Sequence, residues 1–161
     1  EDDGEAGDAA RREAGVYLNR HAREEFNIPG VTFGARYDGS PIIVGDGTAP
    51  PPDRANEYVP SAVPGGRAPH AWLGDGRSLY DTLGFEFSLL RLGPDAPDGA
   101  AFATAAAARK IPLTIVDRPE PELRDLYAAR LALIRPDQIV AWRGDRVPED
   151  VDKLLATVTG A

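Results

Sequence analysis

A chain of 161 residues, 42% of them hydrophobic and with five Phe and five Tyr, suits one core-bearing domain plus an extension. Its 18 basic and 26 acidic residues leave a net charge of −8, which argues against non-specific binding to nucleic acid or an anionic membrane, since both need clustered positive charge. Cysteine is absent, which removes disulfides, thiolate metal sites and thiol redox chemistry.

No apolar run approaches the roughly 20 residues of a transmembrane helix, and the acidic start is unlike a secretion signal. A reducing, cytoplasmic setting is the expectation, with neither nucleic acid nor membrane as partner. Methionine is also absent, and Glu1 stands at position 1. This leads to the expectation that the chain is a piece of a longer polypeptide.

Residues 1–8 are acidic and glycine-broken, and are expected to fray. Asp8 is placed to N-cap a helix from Ala9 to about Phe26, ended by Pro29-Gly30. Val31 to Tyr37 alternates roughly, Asp38-Gly39-Ser40-Pro41 reads as a turn, and Ile42-Ile43-Val44 reads as a second strand. The expectation is a hairpin. From Gly45 to Arg67, Pro50-Pro51-Pro52, Pro60 and Pro64-Gly65-Gly66 make a long Pro/Gly-rich arm, with Tyr58 and Val59 as its anchors.

Ala68 to Leu73 reads as a short strand and Gly74-Asp75-Gly76 as a turn. Arg77 to Gly84 reads as a brief strand or helical turn. Phe85 to Leu92 is a strand with Phe85, Phe87 and Leu89 on one face. An alanine-rich helix from Ala100 to about Arg109 follows, then the apolar strand Leu113–Val116 and a helical turn from Glu122 to Tyr127. Leu131–Ile134 and Ile139–Trp142 form a hairpin about Arg135-Pro136-Asp137-Gln138, where Pro suits the second position of a type I turn. Both limbs are apolar on both faces, as in a covered sheet, and Ile139 and Ala141 are expected to alternate with Val140 and Trp142. Pro148-Glu149-Asp150 opens a last helix with Val151, Leu154, Leu155 and Val158 as its stripe and Gly160 as its stop.

Strand, helix, strand, antiparallel hairpin, helix is the thioredoxin-type order. The fold class is therefore α/β: residues 68–161 form a thioredoxin-like domain, a mixed central sheet with flanking helices. Residues 1–67 supply the N-terminal helix, the hairpin and the connecting arm.

Chemistry is harder to find. Gly93-Pro94-Asp95-Ala96-Pro97-Asp98-Gly99 occupies the position of a thioredoxin active-site loop, without cysteine. His21 and His70 are the only histidines, and no acid–histidine cluster has metal spacing. Gly45-Asp46-Gly47 and Gly74-Asp75-Gly76 lack G-x-G-x-x-G spacing after a strand. Ser40, Ser61, Ser78 and Ser88 lack a nucleophile-elbow context. No catalytic, cofactor-binding or metal residue is assigned. Tyr58, Arg67, His70, Arg135 and Arg143 are the candidates for contacts to another domain or subunit.

Several motifs, in order, carry a resemblance. They are Tyr58-x-Pro60, Pro64-Gly65-x-Arg67-Ala68-Pro69-His70-x-Trp72-Leu73, Ser78-Leu79-Tyr80-Asp81, Phe87-x-Leu89-Leu90 and Leu133-x-Arg135-Pro136-Asp137-Gln138-x-Val140-Ala141-Trp142-Arg143. Together they resemble the C-terminal region of FAD-dependent aromatic-ring hydroxylases, the class A flavoprotein monooxygenases of the phenol hydroxylase and polyketide-tailoring type. Gly34-x-Arg36-Tyr37-x-Gly39-Ser40-Pro41 is similar to the segment joining their FAD and substrate body to this region.

The resemblance implies a parent enzyme that hydroxylates a phenolic or polycyclic aromatic with NAD(P)H, oxygen and FAD. It also implies a non-catalytic, thioredoxin-like C-terminal domain that packs on the FAD/substrate body or on a second subunit, as in a homodimer. The family's FAD motifs have no counterpart here, so no flavin residue carries over. Two rivals stand beside this reading. One is a free-standing dimerisation module; the other is an enzyme built on His70, Arg67 and Asp75.

Overall fold

The structure, a computed structural model, describes residues 4–161. The chain divides into two compact units, residues 4–34 with 53–59, and residues 35–52 with 60–161.

In the first unit a helix spans Glu5–Phe26 (α1) and a short one spans Pro29–Gly34 (α2). Glu5 and Asp8 lie in the first turn of α1, where carboxylates meet the positive end of the helix dipole. Asp8 is thus inside the helix rather than its cap, and pairs with Arg11 at 2.6 Å. Of the stretch expected to fray, residues 1–3 lie outside the described residues and Glu5 onward is helical. The last turn of α1 leaves carbonyls without helical partners. Asn56 Nδ2 serves them, donating to Asn27 O at 2.6 Å and to Glu24 O at 3.3 Å.

Pro29 starts α2, its missing N–H costing nothing at a first helical position. The expected hairpin over Val31–Val44 therefore does not form. Val31 and Phe33 alternate like a strand, but six residues are too few to display a helical period. Gly30 is required by a close approach: its N–H donates to Ala55 O at 3.0 Å, and a Cβ would lie 1.8 Å from Arg54 O.

The second unit holds a four-stranded sheet of Phe87–Leu92 (β1), Leu113–Arg118 (β2), Leu131–Ile134 (β3) and Val140–Gly144 (β4), in the order β2-β1-β3-β4. β1 and β2 are parallel, and the other pairs antiparallel. Helices Ala100–Arg109 (α3) and Val151–Thr159 (α5) cover one face, where Phe102, Ala106, Leu154, Leu155 and Val158 meet Leu89, Leu131 and Leu133. Helix Pro121–Tyr127 (α4) and residues 62–79 cover the other, where Leu73, Leu79, Leu123 and Tyr127 meet Leu90, Leu92, Ala132 and Ile134. Both faces are buried, so β3 reads as a continuous apolar run and β1 as one interrupted by Ser88 and Arg91.

Two strand details differ from expectation. Phe85 precedes β1 and is fully exposed, in a bend rather than a strand. In the hairpin, Gln138 takes φ 65° after the Arg135–Gln138 turn, and the register shifts between Leu133 and Ile134. Leu133 opposes Trp142 and Ile134 opposes Val140, leaving Ala141 as a bulge. Val140 and Trp142 consequently serve opposite faces, while Ala141 and Trp142 share one.

The two edges of the sheet are treated differently. Beside β4 the backbone of the arm closes the edge: Val44 N donates to Ala141 O, Gly65 N to Val140 O and Ala68 N to Gln138 O, all within 2.9 Å. Along β2 no described strand pairs on the outer side.

Candidate functional site

The candidate residues fall into three places. Tyr58 lies in the first unit with its ring 5.8 Å from that of Phe33. Arg67, His70 and Arg135 gather around Tyr80 in the second unit. A short 3-10 helix at Leu79–Thr82 positions Tyr80, and Ser78 caps it in a capping box with Asp81. The Arg67 guanidinium sits 5.2 Å from the centre of the Tyr80 ring, and Arg67 Nη2 donates to Gln138 Oε1 at 3.3 Å. The His70 ring meets Tyr80 edge-on at 5.3 Å and Trp72 at 5.0 Å.

Arg135 lines the neighbouring cavity of about 400 Å³ with Tyr80, Phe85 and Gln138. Its guanidinium is held by Asp137, at 3.1 Å from Nε, and by Val158 O, at 3.3 Å from Nη1.

This cluster lacks the geometry of a nucleophilic site. His70 Nε2 and Ser78 Oγ share a hydrogen bond of 2.9 Å, the first half of a nucleophile–base pair. Among the described residues no carboxylate orients His70, and Ser78 Oγ already accepts from Tyr80 N at 3.1 Å. Asp75 is engaged elsewhere: Arg77 Nε donates to it at 2.7 Å and Arg77 N at 3.0 Å. The Arg77 side chain, then its backbone N–H, hold the Asp75 carboxyl below its ordinary pKa. Among the described residues no group of three metal-ligating side chains converges.

Arg143 is the third place. It is 8% exposed, and its guanidinium reaches three partners: Asp46 Oδ2 at 2.7 Å, Tyr127 O at 2.9 Å and Thr48 Oγ1 at 3.1 Å. Asp46 in turn accepts from Thr48 N at 2.8 Å. This interaction anchors the Gly45-Asp46-Gly47 turn to β4. Spacing gave no sign of it.

Residues 61–161 match the family described as Aromatic-ring hydroxylase, C-terminal. The chain belongs to that family. The FAD-dependent monooxygenase apdD of Emericella nidulans is 33% identical to this domain, over 89% of this chain and 24% of that protein. Phenol 2-monooxygenase from Pseudomonas sp. is 29% identical over 94% of this chain and 28% of that protein. Among solved structures, the rebeccamycin biosynthetic enzyme RebC with reduced flavin is 40% identical, with a TM-score of 0.82 over 99% of this chain and 29% of that one. The chain thus spans about a quarter of the length of the curated relatives it matches.

Among the described residues of this aromatic-ring hydroxylase C-terminal domain, neither Gly-Asp-Gly turn fits the flavin that the relatives' names carry. A dinucleotide cradle needs a glycine turn between a strand and a helix. Gly45-Asp46-Gly47 follows no strand, and its carboxylate is held by Arg143 and Thr48. Gly74-Asp75-Gly76 lies inside the loop closed by the Trp72–Ser78 bridge, and its carboxylate is held by Arg77.

Proposed function

We propose that this is the non-catalytic C-terminal domain of an FAD-dependent aromatic hydroxylase, whose body uses NAD(P)H and oxygen to hydroxylate a phenolic or polycyclic aromatic. One observation carries the reading: a relative named as an FAD-dependent monooxygenase is 33% identical, yet this chain spans only 24% of it. In such a polypeptide the remaining three quarters hold the flavin and the substrate.

The proposed fold is thioredoxin-like, on the support of the order β2-β1-β3-β4 built from a βαβ unit, a hairpin and a final helix. The loop at Gly93–Gly99 carries no cysteine, and the role proposed for the domain is structural. The proposed division falls at residue 67, with Arg143 on Asp46 as the contact between the arm and the thioredoxin-like domain.

The proposed partner is the FAD/substrate body in the cytoplasm. In the first unit Val16, Tyr17, Leu18 and Phe26 of α1, all exposed, supply apolar area for docking beside Tyr58. In the second unit Arg67, His70 and Arg135 are separate candidate contacts. A homodimer is the second reading, favoured by the outer edge of β2, on which no strand pairs among the described residues.

Flavin titration of the isolated chain tests the first reading. It predicts no saturable quenching of flavin fluorescence, and saturable binding overturns it. Sedimentation tests the second: a monomer at micromolar concentration removes the dimer.

A further inference from the structure

The proposed docking role makes no use of the crevice at the carboxyl ends of β1 and β2. These neighbouring parallel strands send their connections to opposite faces of the sheet. Beyond Gly93 the chain enters α3 and the core around Phe102; beyond Pro119 it enters α4 and the core around Leu123. In open α/β sheets such a divergence leaves a crevice outside the strand ends, and ligands bind there. Here it is a cavity of about 200 Å³ whose walls include Arg91, Gly93, Pro94, Asp117, Arg118 and Pro119. At ≈ 30 Å³ per water it has room for roughly six waters or one small ligand.

The two arginines of the cavity are in different states. Arg91 is committed, donating from Nε to Pro97 O at 2.7 Å and from Nη2 to Ala96 O at 3.3 Å, and pairing with Asp117. Arg118 is anchored only by its backbone, whose carbonyl accepts from Gly93 N at 2.8 Å. Its side chain has no hydrogen bond or ion pair among the described residues, and its Nε is shut off from solvent without a partner.

Arg130 Nε is orphaned in the same way, and the Arg130 carbonyl accepts from Leu92 N at the same strand end. Arg124 and Arg130 each reach Asp95 at 3.4 Å. Three guanidiniums, those of Arg91, Arg124 and Arg130, thus pair with two carboxylates, Asp117 and Asp95, near the end of β1, while Arg118 pairs with neither, in a chain of net charge −8. Asp75 lies close enough to feel the charge of Arg118, but its oxygens are taken by Arg77. Glu120 Oε2 is a third orphan, outside the cavity wall.

Buried N–H groups without acceptors are rare because each forfeits its hydration. An acceptor brought from outside removes that cost. A guanidinium is shaped to give two parallel hydrogen bonds to an oxyanion. We propose that this crevice binds a small phosphate-type oxyanion, with Arg118 as its principal ligand and Arg91 as a fixed wall. The inference stands whether or not the parent is a flavoprotein.

The test is a titration of the 161-residue chain with inorganic phosphate, at ionic strength held constant with chloride, following the arginine Nε–H resonances by NMR. The Arg118 resonance is expected to shift and saturate in the low-millimolar range or below. Arg118→Ala is expected to weaken binding about tenfold or more. Arg109→Ala, which breaks a pair with Asp152 between α3 and α5, is expected to leave it unchanged.

Arg118→Gln carries the same comparison if the alanine variant does not fold. A shift that stays linear in phosphate, or equal affinity in the Arg118 variants, overturns the proposal. Saturable binding of succinate but not of phosphate overturns the ligand class.

Discussion

Arg143 Nε donates to Asp46 Oδ2 at 2.7 Å, across 97 positions of sequence, and so fixes the Gly45-Asp46-Gly47 turn against β4. The side chain of Arg143 is 7% exposed and that of Asp46 24%. Removing one member of such a pair leaves the other desolvated and unpaired. Arg143→Ala should therefore cost about 3 kcal/mol, since it also strips a donor from the Tyr127 carbonyl. Asp46→Ala should cost less, about 1–2 kcal/mol, because its site is wetter. Urea denaturation measures both, and the double variant should be less unstable than the sum. An unchanged midpoint for Arg143→Ala contradicts the assignment.

The same pair gives the domain an acid dependence. Burial alone raises the Asp46 carboxyl, but hydrogen bonds from Arg143 and Thr48, with the Arg143 charge, outweigh it and hold the group below the usual carboxylate range. A carboxyl depressed in the folded state contributes its full stability above its unfolded-state pKa and loses it as pH falls through the folded-state value. The affected window lies below about pH 4. Asp46→Asn is expected to be less stable at neutral pH and to show a shallower loss of stability on acidification. Parallel acid limbs in the two proteins would exclude Asp46 as a source.

Tyr127 ties α4 to the segment that covers its face of the sheet. Its buried hydroxyl donates to Pro69 O at 3.0 Å. Tyr127→Phe keeps the ring and orphans the carbonyl, at an expected cost of about 1–2 kcal/mol. Thermal denaturation should show the loss. A variant as stable as the parent chain would mean that water replaces the hydroxyl.

At the tip of the β3–β4 hairpin, Gln138 occupies the left-handed region with φ 65°. That conformation costs a side-chain-bearing residue about 1–2 kcal/mol, and glycine far less. Gln138→Gly gives up a 3.3 Å hydrogen bond from Arg67, so a net gain of about 0.5–1 kcal/mol is expected in urea denaturation. A loss of stability would show that the Arg67 contact outweighs the backbone strain.

The parts of the fold legible in sequence were those where burial writes a period. α5 presented Val151, Leu154, Leu155 and Val158, and all four are buried. β3 read as an apolar run because both of its sides are covered. The misread parts were decided by non-local contacts. α2 has an alternating pattern but is helical, with Gly30 pressed against Arg54 O and Glu57 O. The bulge at Ala141 reverses the face of Trp142, which no reading of parity alone foresees.

The arrangement of the candidate contact residues was not legible in the sequence. Arg67, His70 and Arg135 lie around Tyr80, whereas Arg143 turns inward to a partner 97 positions away. Arg118 attracted no notice as a site residue. Its one signal was position, at the carboxyl end of a parallel strand where the connections diverge.

The central claim, a C-terminal domain of a larger flavoprotein, is tested most directly by reading the coding sequence immediately upstream of Glu1. The account predicts an open frame encoding a dinucleotide-binding glycine motif and, closer to Glu1, a flavin-binding Gly-Asp motif. A start codon directly before Glu1 would contradict it.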